Sequence, residues 1–206
     1  LSLYKNLRFN WSDCRLILDQ SSPLIFQYAI SIISWEFFYI LIEHYGARDL
    51  AISNTMRNIF GIFGVFTWSF AATCTTMVSN VIGQGLSNQV PALIRRILRL
   101  SVLISTTLCL LLNIFPNLVL SLFGQDEEFI RLAIPVMRVV SVALVMMSFA
   151  TVWLNAVTGT GNSRVNLGIE VIAIIAYSIF VYLVLRVYKL PIAIGWMAEW
   201  VYWSIL

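Results

Sequence analysis

The sequence predicts an all-α integral membrane protein, a bundle of six transmembrane helices, from its composition and its long apolar runs. Hydrophobic residues make up 60% and charged residues 11% of the 206 residues, whereas roughly a quarter of the residues of a soluble domain are charged. The mean hydropathy is +0.86. The clearest run, from Ile59 to Ile82, holds no Asp, Glu, Lys or Arg, and it exceeds the roughly 20 apolar residues that cross a bilayer.

The first 22 residues mix charged and apolar side chains. This pattern is typical of a segment that lies along the membrane surface, so residues 1–22 are predicted as a cytoplasmic interfacial segment. Ser21-Ser22-Pro23 offers a capping hydroxyl and a proline for the first helical turn. Residues 23–206 then form the six-helix bundle, and the last of its helices is cut short by the end of the sequence.

Apolar periodicity and turn residues give approximate bounds for each span. Pro91 favours a helix start before the third span, Pro116 favours a kink within it, and Glu127 and Glu128 suit the first turn of the fourth span. Gly-rich stretches follow the second and fourth spans. The predicted spans are 24–45, 59–82, 98–123, 127–157, 165–188 and a sixth that begins at Pro191.

Small and polar residues recur at three- and four-residue steps along the second span. Such residues fall on one helix face, and in a membrane that face is expected to meet protein or a water-filled cavity. Close packing against a neighbouring helix remains an equal alternative. The residues of this stripe are Asn54, Asn58, Gly61, Trp68, Ala72, Thr75 and Ser79.

Polar residues on the other spans extend the candidate cavity. The first span carries Gln27, Ser31 and Ser34 on one face. The fourth span carries a second polar face, and the fifth has a tyrosine at its middle. Those residues are Arg138, Ser148, Thr151, Asn155 and Tyr177.

Glu36 is predicted to be the deepest carboxylate, because it lies near the middle of the first span. An acidic residue at a helix centre costs about 2.5 to 3.5 kcal/mol, and hydrocarbon favours its neutral form, as a proton or cation carrier requires. The alternative is a structural bond to a neighbouring helix or to Arg57. Glu170 is the second candidate for ion coupling, and Glu199 is a weaker one.

The charge pattern sets an orientation and excludes some functions. Lys and Arg are more frequent in the leader and in the 2–3 and 4–5 loops than on the opposite side, so both ends of the chain are predicted to be cytoplasmic. A net charge of +3 without a basic patch excludes a nucleic-acid partner. His44 is the only histidine, and no catalytic or metal-ligand spacing is present. The sequence therefore predicts neither an enzyme nor a cofactor.

Several stretches resemble one transporter family over almost the whole chain. They are Pro23 to Gly46, Ala47-Arg48-Asp49-Leu50-Ala51-Ile52-Ser53-Asn54, Val81-Ile82-Gly83-Gln84-Gly85 and Asn155-Ala156-Val157-Thr158-Gly159-Thr160-Gly161-Asn162-Ser163-Arg164. Together they resemble the C-terminal half of a multidrug and toxic compound extrusion (MATE) transporter of the type found in Bacteroidetes.

This resemblance implies one six-helix lobe of a twelve-helix transporter in a bacterial inner membrane. The partner would be the N-terminal lobe of the same protein, and residues 1–22 would connect the two. The family implies efflux of small cationic or amphipathic compounds by H⁺ or Na⁺ antiport, with alternating access between the lobes.

The chain departs from the family at both expected coupling positions. The acidic position of the seventh helix falls on Ser31, with Glu36 five residues later, and the aspartate of the tenth helix falls on Met147. Either Glu36 substitutes or the ion site lies in the N-terminal lobe, which is the slightly favoured expectation. Two further alternatives are a lipid-linked oligosaccharide flippase of the same superfamily, for which only Arg57 and Arg138 are available as cations within the spans, and a non-transporting scaffold.

Overall fold

The structure, a computed structural model, describes residues 10–123 and 126–206 as helices joined by short loops, with no β-strand in these ranges. Five helices are long and apolar enough to cross a membrane. They are α1 (Trp11–Glu43), α2 (Ala47–Gly83), α3 (Val90–Ile114), α5 (Glu127–Gly159) and α6 (Ser163–Val181). The shorter helices are α4 (Pro116–Ser121), α7 (Ile192–Gly195) and α8 (Ala198–Ile205).

Helix α1 begins at Trp11, so the predicted start at Ser21-Ser22-Pro23 is wrong. The side chain of Asn10 accepts a hydrogen bond from the Ser12 amide at 3.1 Å and caps the helix there. Pro23 lies inside the helix, where its ring removes one backbone bond. Residues 1–9 of the predicted interfacial segment, with Lys5 and Arg8, lie outside the described residues.

The predicted breaks around the third and fourth spans are confirmed. Pro91 lies in the first turn of α3, and the helix ends at Ile114, after which Pro116 opens α4. Helix α5 begins at Glu127, where the Asp126 side chain accepts from the Phe129 amide at 2.8 Å. Acidic residues in this first turn complement the helix dipole.

The C-terminal part of the bundle is broken into short pieces. Helix α6 ends in a π-helical turn, Tyr182–Val187, in which each turn takes an extra residue. Lys189 then adopts a φ of +49°. The sixth span begins after Pro191, as predicted, but the chain there forms α7 and α8 with Trp196 and Met197 between them.

Helix α5 is the centre of the bundle and packs against most of the other helices. It lies against α2 and α3, while α1 packs on α6, and α8 fits against both α5 and α6. Half of the apolar window of α5 is buried inside the protein. The core includes Phe38, Met56, Met137, Leu144 and Met147.

One part of the polar stripe of α2 packs against α5 and another part lines a cavity, so both interpretations of the sequence apply. Near the C-terminal ends of α2 and α5, Thr75 donates to the Asn155 side chain at 3.0 Å, and Ser79 donates to the Gly159 carbonyl at 2.9 Å. Further towards the start of α2, Asn58, Gly61 and Trp68 line a cavity. The stripe therefore forms a tight seam with α5 near the C-terminal end of α2 and lines the cavity nearer its start.

Close packing at this seam predicts that a single added methyl group lowers the stability of the protein. A Cβ at Gly159 would come within 2.8 Å of the Thr75 carbonyl oxygen and 2.9 Å of Val78 Cβ. Overpacking of this kind costs about 1 to 3 kcal/mol, so Gly159→Ala should lower the melting temperature of the full-length protein in detergent. Gly168→Ala on α6 is the matched control, because nothing lies within 4 Å of its Cβ position. An equal loss in both variants would contradict close packing at the seam.

Candidate functional site

A cavity of about 470 Å³ opens between α1, α2, α5, α6 and α8. Its wall combines aromatic rings with amides, hydroxyls and two carboxylates, a composition that suits an amphipathic ligand. Most of the predicted site residues lie on this wall, although they come from four separate helices. The predicted residues that line it are Gln27, Ser31, Ser34, Asn58, Trp68, Thr151, Asn155, Glu170 and Tyr177.

Glu170 of α6 is the most strongly bonded polar group of the cavity, and its residue is 1% exposed. Ser31 of α1 and Tyr202 of α8 each donate a hydrogen bond to its Oε1 atom. The Gln27 amide of α1 donates to Oε2 at 3.2 Å. A buried carboxylate needs such donors, since its desolvation is costly. The three bonds therefore join α1, α6 and α8 around one buried side chain.

Glu199 of α8 is the second buried carboxylate, and its residue is 4% exposed. The indole N–H of Trp35 donates to Oε1 at 2.9 Å, and the indole N–H of Trp203 donates to Oε2 at 3.0 Å. The first of these bonds joins α8 to α1. Glu199 therefore completes the contact between α1 and the C-terminal part of the bundle.

Arg57 of α2 is the one cation on the cavity wall among the described residues. Its guanidinium carbon lies 5.4 Å from the centre of the Trp35 ring and 5.3 Å from that of Tyr39, within the range of cation–π attraction. The Oε1 atom of Glu36 lies 3.9 Å from the Nη2 atom of Arg57. Arg57 therefore lies between the aromatic wall of the cavity and Glu36.

Two polar atoms of the wall are buried without a hydrogen-bond partner in the described part of the chain. They are Oε1 of Gln27 and the hydroxyl of Tyr177, in residues that are 7% and 2% exposed. Buried polar groups in proteins are nearly always satisfied. Each of these two atoms therefore carries the cost of an unsatisfied buried polar group, about 1 to 3 kcal/mol.

Glu36, predicted to be the deepest carboxylate, is not buried within this lobe. Its side chain is 57% exposed and pairs with Arg57, as the alternative interpretation allowed. Glu170 and Glu199 are the buried carboxylates. Counting residues along the span indicates how deep Glu36 lies, but it does not indicate which way the side chain points. Five residues after Ser31, the side chain has turned by about 140° at 100° per residue, away from the cavity face.

Three other predicted residues lie outside the cavity wall. Ser148 is fully buried where α5 meets α3, and its carbonyl accepts a bond from the Ser101 hydroxyl at 3.3 Å. Arg138 and Asn54 are exposed and do not contribute to the cavity. The polar face of α5 is therefore divided, with Thr151 and Asn155 at the cavity and Ser148 in a helix contact.

Sequence reasoning missed the aromatic partners of the carboxylates, namely Trp35, Tyr202 and Trp203. These rings fit any buried apolar segment, so their type alone did not indicate a site. One signal was available, because Glu199 stands within an aromatic run, Trp196 to Trp203. A carboxylate in such a run requires donors, and the indole and phenol groups nearby supply them.

The family model MatE matches residues 23–184. No curated protein matches the chain. Three solved structures share the fold at 15% sequence identity, and each comparison covers 92% of this chain. One is the outward-facing form of a multidrug resistance MATE family transporter of the MOP superfamily, with a TM-score of 0.82 and 42% of its chain covered.

A second is a MOP superfamily transporter from Pyrococcus furiosus whose binding pocket is described as having reverse polarity, with a TM-score of 0.81 and 41% of its chain covered. A third is a MATE protein in complex with MaD3S, with a TM-score of 0.83 and 42% of its chain covered. The chain thus spans about two fifths of the length of these transporters.

In the described residues, a helical bundle with five helices long and apolar enough to cross a membrane, and with a polar cavity between them, is typical of a multi-pass membrane transporter. The chain belongs to the MATE family of transporters, whose model covers most of its length. The resemblance found in the sequence is thereby confirmed. This family consists of transporters and not of enzymes.

The cavity contains a matched pair of tyrosines that tests the importance of the Glu170 network. Tyr202→Phe removes a donor to a buried carboxylate, and a hydrogen bond to a charged group contributes about 1.5 to 3 kcal/mol. Tyr177→Phe removes a buried hydroxyl that has no hydrogen-bond partner among the described residues. We expect Tyr202→Phe to lower the melting temperature of the full-length protein and Tyr177→Phe to leave it equal or higher. The reverse order would show that the Tyr202 bond does not stabilise the bundle.

Proposed function

We propose that the full-length protein, of which this chain forms the C-terminal lobe, is a secondary active multidrug efflux transporter. It exchanges H⁺ or Na⁺ for small cationic or amphipathic compounds, with alternating access between two lobes. The supporting observation is the acidic cavity, in which Glu170 is buried and bonded from two other helices. A charged group that is buried beside a transport cavity is a natural site for ion coupling.

The charges of the cavity wall favour a cationic cargo over a lipid-linked pyrophosphate. A flippase for such lipids needs several cations to hold the pyrophosphate. In the described residues, the wall carries Glu170 and Glu199 but only Arg57 as a cation, and Glu36 offsets that charge. Arg138, the other candidate cation, lies outside the wall. This lobe therefore attracts positive charge.

Glu170 is the best candidate for the coupling carboxylate in this lobe. It bonds directly to the hydroxyl of Ser31, the residue at which the family resemblance places an acidic side chain. A carboxylate on α6 therefore occupies nearly the same space as one on α1 would. The charge is retained although the helix that supplies it differs.

The partner lobe would close the side of the cavity that this chain leaves open. Trp68 and Ile62 of α2 are 52% and 59% exposed, and Asn54 and Asn58 are exposed on the same helix. Such a mixed surface suits a second lobe better than lipid alone. The excess of Lys and Arg in the 2–3 and 4–5 loops favours a bacterial inner membrane orientation with both ends of the chain cytoplasmic.

Ethidium movement in everted vesicles containing the full-length protein tests this function. Under an imposed proton gradient, and separately a sodium gradient, we expect uptake by the wild type and none by Glu170→Gln. Glu36→Gln should retain gradient-driven uptake, and Glu43→Gln, at the exposed end of α1, is the matched control. Because a ligand shifts an equilibrium only through differential affinity, loss of the ionisable group should uncouple the transporter.

Persistent coupled transport by a well-expressed Glu170→Gln variant would place the coupling site in the partner lobe. The absence of any gradient-driven movement in the wild type would overturn the efflux proposal and favour the flippase or scaffold.

A charge exchange between the two helices tests the position of Glu170 more closely. In the double variant Ser31→Glu/Glu170→Ser, the carboxylate returns to α1 and a hydroxyl takes its place on α6. Since the two side chains are hydrogen bonded in the wild type, we expect partial recovery of proton-driven uptake relative to Glu170→Ser alone. Equal inactivity of the single and double variants, at equal expression, would show that coupling requires Glu170 itself.

A further inference from the structure

A second, smaller pocket of about 320 Å³ lies at the end of the bundle where α1 and the π-helical turn finish. Leu41, Tyr45 and Leu185 form its uncharged part. The other lining residues are His44, Arg186 and Lys189. Among the described residues no carboxylate lines this pocket, which we call the basic pocket.

The two cations of the basic pocket have no partner of their own. In the described part of the chain, the side chains of Arg186 and Lys189 make neither an ion pair nor a hydrogen bond. Basic side chains near the end of a helix often bond its last free carbonyl oxygens. Here three of those carbonyls have other donors, so the cations complement the negative end of the helix without capping it. The carbonyls are those of Leu183, Val184 and Leu185, bonded by the Tyr188 amide at 2.9 Å, the Leu190 amide at 3.0 Å and the Tyr45 hydroxyl at 2.9 Å.

Other cations at the same end of the bundle have acidic neighbours. Arg48 pairs with Asp126 at 3.0 Å and also with Glu128. Arg131 shares a surface recess with Glu127. This end is opposite to the side on which Lys and Arg are more frequent, so the positive-inside rule does not require cations here. The uncompensated charge of the basic pocket therefore has no explanation within the lobe.

His44 adds a third group that can face an anion. Its Nδ1 atom lies 2.8 Å from the Ile40 carbonyl oxygen. A carbonyl oxygen only accepts, so Nδ1 carries a proton and Nε2 is the ring nitrogen that remains for a ligand. An imidazolium would donate from Nε2 to an anion in the pocket.

The basic pocket lies at the depth of the lipid headgroups. It follows directly on the ends of two helices that are long and apolar enough to cross a membrane. Tyr188 beside it is 67% exposed, and exposed tyrosines at helix ends are typical of the membrane interface. Ile40, Leu183 and Val187 are exposed apolar residues next to the pocket. Lipid phosphates lie just outside the hydrocarbon core, so a phosphate there can reach the cations while its acyl chains contact these side chains.

We propose that the basic pocket binds the phosphate group of an anionic phospholipid. The guanidinium of Arg186 offers a planar pair of donors to two phosphate oxygens, and Lys189 supplies a compact second charge. The acyl chains lie along the exposed apolar side of the π-helical turn. In the orientation proposed above, this lipid belongs to the outer leaflet, and it joins the loop after α1 to the turn after α6.

Lipid binding to the purified full-length protein in nonionic detergent tests this site. Phosphatidylglycerol is the probe, its retention is counted by native mass spectrometry, and the melting temperature is followed as the lipid is added. The wild type should retain phosphatidylglycerol and become more stable. Diacylglycerol, which lacks the phosphate, and sodium phosphate, which lacks the acyl chains, should each have a smaller effect at equal concentration.

Substitution of the two cations should weaken binding in proportion to the charge removed. Arg186→Gln and Lys189→Gln should each lower the affinity for phosphatidylglycerol about fivefold, and the double variant about 30-fold. Both side chains are exposed, so the lipid-free melting temperature should not change. Arg131→Gln removes one cation at the same end of the bundle, beside Glu127. It is the matched control and should bind as the wild type.

Equal binding of phosphatidylglycerol by the wild type and the double variant would overturn the site. A loss in Arg131→Gln as large as that in the double variant would show that surface charge in general attracts the lipid, and it would also overturn the site. Equal stabilisation by sodium phosphate would assign the pocket to a free anion instead of a lipid. Equal retention of diacylglycerol would overturn recognition of the phosphate. Transport is not measured here, so a failure of the efflux proposal would leave each of these outcomes unchanged.

Discussion

The burial of Glu170 is the constraint on which the arrangement of this lobe depends. A carboxylate of this kind is tolerated inside a membrane protein only when donors replace the lost water. Those donors come from α1 and α8, helices that do not adjoin α6 in sequence. One buried carboxylate therefore links the positions of three helices to the polarity of the cavity between them.

The indole bonds of Glu199 extend the same arrangement across the other side of the cavity. Trp35 of α1 contacts both Glu199 and Arg57, and Arg57 in turn contacts Glu36. A continuous chain of charge and aromatic contacts thus runs from the buried wall to the open face. The MATE fold provides the helices, and these particular side chains give this lobe its acidic character.

The sequence predicted the elements well and the orientation of individual side chains less well. Apolar runs, Pro91, Pro116 and the acidic turn at Glu127 locate helix starts and breaks because each acts locally on the backbone. Position along a span indicates depth alone, and by depth alone Glu36 is favoured over Glu170. Which face of a helix is buried depends on its neighbours, and these are set by contacts distant in sequence, such as Ser31 with Glu170.

The seam between α2 and α5 has a consequence for following motion in the whole transporter. Thr75 and Ser79 bond to the backbone or side chain of α5, and at Gly159 there is no room for even one more carbon atom. Two helices joined this closely move as one rigid body. Spectroscopic labels at Met77 and Trp153, each 40% exposed, would therefore keep a constant separation through the transport cycle. The distance between these two labels would serve as an internal reference for the label pairs whose distances change.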